Sequence, residues 1–205
     1  MAYPTVSAPY GFKPINRIDG LPYAGAIQQI PVTSGQAIYY GDTVKVVAGG
    51  TISRSGATTS GTIVGVFVGV QYVNAQGQTV QAQYVPASGI TNPIAYVVVD
   101  PSAAYKVAVT TTGSTTTVTG ANSTIVGCNV AQTAWAAGSN TTGDSISAVV
   151  LPANGAGDTD ALPFRVIAVV PETSYVSGST TYYAEVIVKV NNPQYTALTG
   201  TTYTA

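Results

Sequence analysis

Hydrophobic positions along this chain fall in short runs of strand length separated by turn-forming residues, and some of the runs alternate with polar positions. Thr79–Val85 is the cleanest case, with Val80, Ala82 and Tyr84 set against Gln81 and Gln83. That alternation predicts a strand with one wet face. Ile63–Val70 has no polar residue and is broken only by Gly65 and Gly69, so it predicts a strand buried on both faces. The two glycines mark places where a strand bends or another backbone comes close. Upstream, Gly41 and Asp42 form a turn before the strand-forming residues Val44 and Val46. Further strands are expected over Leu21–Val32, Ile38–Tyr40, Thr43–Val47, Thr62–Val73, Ile94–Val99, Tyr105–Val109, Ser145–Leu151, Phe164–Val170 and Tyr182–Val190. Helical periodicity is nearly absent. Only Ala131–Ala137 admits a short helical turn, closed by Gly138. The predicted fold class is all-β, a compact β-barrel or β-sandwich.

Residues 1–20 read as an extended N-terminal arm, because Pro4, Pro9 and Pro14 forbid helix. Tyr3, Tyr10 and Phe12 give it aromatic anchors. Such an arm either straps its own sheet edge or reaches a neighbouring subunit by strand addition. On the second reading Tyr3, Pro4, Tyr10, Phe12, Lys13 and Arg17 are the candidate interface residues. Residues 21–109 read as one β unit and residues 110–205 as a second β portion packing on it. A Thr-rich loop occupies 110–124, and Pro86–Pro93 is also expected to be a loop. Glu185 and Lys189, four apart on one face of a strand, suggest a partly exposed charge pair. Gly41, Asp42, Gly65 and Gly69 are the structural turn and strand positions.

Composition narrows the function. Charged residues make up 7% of 205 residues, against roughly a quarter in ordinary soluble domains. A surface this poor in charge suits a protein packed against neighbours in an assembly, where charges are costly to desolvate. The seven Lys and Arg are scattered from Lys13 to Lys189, which argues against direct nucleic-acid binding. So few charges also predict that attachment to a partner is only weakly salt-sensitive. With no His and only Cys128, neither a Ser-His nor a Cys-His pair can form. Asp158 and Asp160 lack the further oxygen ligands of a calcium loop. No cofactor is expected. No apolar run is long enough to span a bilayer, and the N-terminus lacks the apolar stretch of a signal peptide. The expectation is a protein whose function is to be a surface, with no catalysis.

Three segments point further. Gly41-Asp42-Thr43-Val44-Lys45-Val46, Gly50-Thr51-Ile52 and Gly65-Val66-Phe67-Val68-Gly69-Val70 together form a pattern that resembles the head decoration (cement) proteins of tailed bacteriophages. The opening Ala8–Pro14 and the closing Glu185–Tyr195 are similar to small virion proteins of marine phages, including those of cyanobacteria. The resemblance covers most of the chain except the Thr-rich centre. It implies an all-β fold, no catalysis and a place on the outer surface of the phage head. The implied partners are the major capsid protein and neighbouring copies of the chain, as a dimer or trimer. It supplies no binding residues to carry over. The chain has 14 Tyr and 3 Phe, and Tyr suits contact surfaces because its hydroxyl tolerates partial exposure. A major capsid protein would need long helices that the periodicity does not offer. The competing readings are a tail, fibre or adhesin β domain that binds a host surface or glycan, and a carboxylate-only glycosidase, for which most of the eight acids sit in turns or loops.

Overall fold

A computed structural model describes residues 6–23, 26–55, 62–110, 123–133, 138–150, 160–174 and 183–196. Fourteen strands are found among them. They are β1 (Lys13–Arg17), β2 (Ile27–Pro31), β3 (Ile38–Tyr39), β4 (Thr43–Val46), β5 (Ile52–Arg54), β6 (Gly65–Asn74) and β7 (Thr79–Ala82). There follow β8 (Tyr84–Val85), β9 (Ile90–Val98), β10 (Ala103–Thr110), β11 (Asn129–Thr133), β12 (Ala148–Val150), β13 (Phe164–Val169) and β14 (Glu185–Val190). One four-residue helix, α1, covers Pro171–Ser174. The fold is all-β, as the alternation predicts.

Strands β10, β12, β11, β13 and β14 pair in that order, and β14 pairs back onto β10 to close a five-stranded barrel. Its inward rows are apolar. Tyr105 lies opposite Val188, Val107 opposite Val186, and Phe164 opposite Val190. A second sheet runs β2-β9-β6-β4-β5, with β7 on β6, and the β3–β8 ribbon completes that lobe. Each lobe has its own core. Ile63, Val66 and Val98 join the barrel residues. Val64, Phe67 and Val97 join Ile30, Ile38, Val44 and Val85 in the other. Alternate side chains of Ile63–Phe67 therefore enter different cores, which is why this run is apolar on both faces.

Gly65 is required by this arrangement. A Cβ there would sit 2.1 Å from the Val98 carbonyl oxygen. Gly69 answers a different need. The β6–β9 register slips between Phe67 and Gly69, a bulge that turns Val70 onto the same face as Phe67. Val66 is fully buried and Val68 half-buried against the barrel core.

Several expectations need correction. The seam between the lobes falls at the turn 99–102, not after Val109, because both edges of β10 are committed to the barrel and to β1. Residues 1–20 are not a free arm along their whole length, since Lys13–Arg17 is a strand on β10 of the same chain. Pro86–Pro93 is not all loop. β9 begins at Ile90, and Pro93, which has no N–H to donate, sits where the ladder with β6 is irregular, beside Asn92 at φ 49°. Ala131–Thr133 is strand, paired along its length with β12, so the short helical turn does not begin there. Residues 111–122 of the Thr-rich loop, Trp135 and Asp158 lie outside the described residues.

Candidate contact surface

The turn Tyr39–Asp42 joins the two lobes. Gly41 takes φ 88°, a left-handed conformation that favours glycine, and a Cβ there would meet the Phe12 backbone nitrogen at 2.9 Å. The Gly41 carbonyl accepts the Phe12 N–H at 2.9 Å, and its own N–H donates to the Phe67 carbonyl. Asp42 is fully buried. One carboxylate oxygen accepts from the Ser145 hydroxyl at 2.6 Å and the Ser147 hydroxyl at 3.1 Å. The other accepts the Tyr39 N–H and lies 3.0 Å from Arg54 Nε. Nearby, Gln132 of the barrel accepts from the Thr43 hydroxyl and donates to the Ser55 carbonyl. Two hydrophobic cores are thus fastened by a buried polar junction in which Asp42 accepts three hydrogen bonds and pairs with the Arg54 charge, which stiffens the body.

The N-terminal segment is laid along this body. The Val6 carbonyl accepts the Tyr183 N–H, and the Gly11 N–H donates to the Ser147 carbonyl. Phe12 is fully buried and stacks on Phe164 with ring centroids 4.4 Å apart. Phe12 is therefore a core residue and not a contact for a neighbouring chain. Lys13 Nζ pairs with Asp144 at 2.6 Å and lies 4.0 Å from the centre of the Tyr40 ring. Arg17 pairs with Asp19 and Asp100. The Tyr10 hydroxyl donates to Glu185, whose carboxylate also takes Lys106 Nζ at 3.1 Å. The Glu185–Lys189 pair is not formed. Four residues of strand separate such groups by about 13 Å, whereas Lys106 comes from the adjacent strand. Tyr3 and Pro4 lie outside the described residues.

Burial, the hydrogen bond to Glu185 and that residue's charge, in this order, raise the Tyr10 pKa above its usual 10.0. Burial does the same to Tyr105. A phenol with a raised folded-state pKa holds its proton where the unfolded chain has lost it. The stabilisation is complete below pH 10 and declines as pH climbs above it. We expect unfolding free energy to fall above pH 10, and to fall less steeply in Tyr10→Phe. Urea titrations across that range check it, and identical slopes in the two proteins would contradict it.

Several large apolar residues are exposed. Ile18 and Leu21, 50% and 56% exposed, flank the Asp19-Gly20 turn. The Arg17 N–H donates to the Leu21 carbonyl, and the Ile18 N–H donates to the Ser102 carbonyl at the seam. Ile27, 45% exposed, begins β2, which lies at the end of its sheet. Tyr195 is exposed and donates its hydroxyl to Gln28. Large apolar groups flanking the Asp19-Gly20 turn were the sequence signal for this exposure. Asp42, Ser145, Ser147 and Gln132 meet from distant positions, so only the turn at Gly41-Asp42 was legible beforehand.

Comparison of the chain with protein-family models, curated proteins and solved structures finds no match. No helix among the described residues is long and apolar enough to cross a membrane.

Proposed function

We propose that this chain is a structural virion protein that binds the outer surface of a major capsid lattice, bridges capsomers and stabilises the DNA-filled head. The observation that carries this reading is a body locked by a buried polar junction that leaves Ile18, Leu21, Ile27 and Tyr195 exposed. Ile18 and Leu21 flank one turn, and apolar groups exposed together at a surface mark interaction sites. A rigid body loses little conformational entropy on docking. Copies repeated over a lattice reinforce one another by avidity. The resemblance of the Gly41–Val46 and Gly65–Val70 segments to decoration proteins supports the same role, with the chain acting as a binder and not as a catalyst.

The second reading, a tail, fibre or adhesin domain that binds a glycan, is favoured by one feature. An open depression of about 360 Å³ is lined by Val68, Gly69, Gln81, Gln83 and Tyr96. An aromatic ring beside uncharged amides suits a sugar.

Undecorated heads should release DNA at lower temperature than heads to which the protein has been added, and particles should carry it in hundreds of copies. Dye-reported DNA release and quantitative protein staining measure both. Equal thermal stability with and without the protein would remove the decoration role, and a handful of copies would favour the fibre reading.

A further inference from the structure

The seven cations are scattered in sequence, but four of them pair in space. On the outer face of the barrel, Lys13 lies directly opposite Lys106 across β1 and β10, and Arg165 lies directly opposite Lys189 across β13 and β14. Four of the chain's seven Lys and Arg thus form two like-charge cross-strand pairs. Directly opposed side chains have Cβ atoms about 4.5–5.5 Å apart, and like charges there are destabilising.

The two pairs are treated differently. Lys13 is matched by Asp144 and Lys106 by Glu185. Among the described residues, Arg165 and Lys189 have no carboxylate partner. Arg165 is instead oriented by a neutral group, donating from Nε to Asn129 Oδ1 at 2.9 Å, and Asn129 is buried. That bond leaves the outer edge of the guanidinium exposed and pointed. Ile187, half-buried, lies on the same face of β14 between Lys189 and Glu185.

We propose that Arg165 and Lys189, with Ile187 beside them, form a docking site for an acidic segment of a partner protein, which places a carboxylate across the two cations. This rests on the decoration reading, in which the partner is the capsid lattice. A discrete carboxylate relieves the repulsion of the pair and completes a bidentate contact with the guanidinium. Nucleic acid fits less well. Among the described residues only two cations are unmatched on this face, too few to follow a continuous phosphate backbone.

The test compares the full-length protein with Arg165→Gln/Lys189→Gln, and with Lys45→Gln as a control on the other lobe. Binding to undecorated heads is measured over a series of salt concentrations. The double variant should bind at least ten-fold more weakly at low salt, and it should lose the part of the salt dependence that these two cations add to an otherwise weakly salt-sensitive attachment. Its melting temperature should be equal or higher, because the like-charge pair is gone. Lys45→Gln should match the unaltered protein. Equal binding by the double variant, or an equal loss in Lys45→Gln, overturns the proposal while decoration stands. If the unaltered protein fails to bind heads, the decoration reading falls, and the site is tested with a Glu-rich decapeptide and a DNA duplex. Amide shifts centred on Arg165 and Lys189 with the peptide support it. No shifts, or tighter binding of the duplex, overturn it.

Discussion

Asp42→Ala should destabilise the protein by about 3–5 kcal/mol, the usual cost of removing one partner from a buried charged network. Three groups lose an acceptor at once, the Ser145 and Ser147 hydroxyls and the Tyr39 N–H, and the Arg54 guanidinium loses its paired charge. They belong to different lobes, so the loss strikes the junction as well as the turn. Asp42→Asn should cost less, because an amide oxygen can still accept while the charge is lost. The measurement is a urea unfolding curve, with a lower midpoint at an unchanged m-value. A loss below about 1 kcal/mol in Asp42→Ala, no more than one ordinary hydrogen bond contributes, would mean that the junction is not the fastening described here. Two separate transitions in the variant would show that the lobes had been uncoupled.

Phe12→Ala should cost about 3–5 kcal/mol, the range for emptying a buried phenylalanine site. The ring is fully enclosed and stacked on Phe164, where the barrel core meets Ile63 and Val66 of the other lobe. Its N–H is held by Gly41, so the cavity opens beside the turn that carries Asp42. Thermal and urea unfolding should agree on the loss. A cost near zero would make the N-terminal segment a dispensable strap. It follows that deletion of residues 1–20 is a stability experiment and not a test of capsid attachment, since it removes Phe12 together with β1.

Much of the architecture was legible because strand signals are local. The period-two alternation of Thr79–Ala82, the apolar run at Ile63–Val70 and the closing pair of β13 and β14 all follow from side chains that must face core or water. The turn chemistry of Gly41 and the close approach at Gly65 were equally readable, since few residues other than glycine meet those demands. The expected helical turn over Ala131–Ala137 went astray at its start because the helix preference of Ala and Gln is small enough for tertiary pairing to override it. The ladder to β12 decides at Ala131–Thr133. The N-terminal proline spacing described an extended chain correctly but could not say what lies beside it.

The sequence by itself determined the all-β class, the turns, and the absence of His and of any cysteine beyond Cys128. Each of these depends on residue identity and near neighbours alone. Tertiary structure decided everything that depends on register between distant strands. It closed the barrel by setting β14 on β10, and it brought Asp42 to Ser145 and Ser147, about a hundred positions away. It also buried Phe12 and aligned Lys13 with Lys106 and Arg165 with Lys189. The physical reason is that charge and hydrogen bonding act through space over a few ångströms. A chain whose cations look dispersed along its length can therefore present four of them on one face.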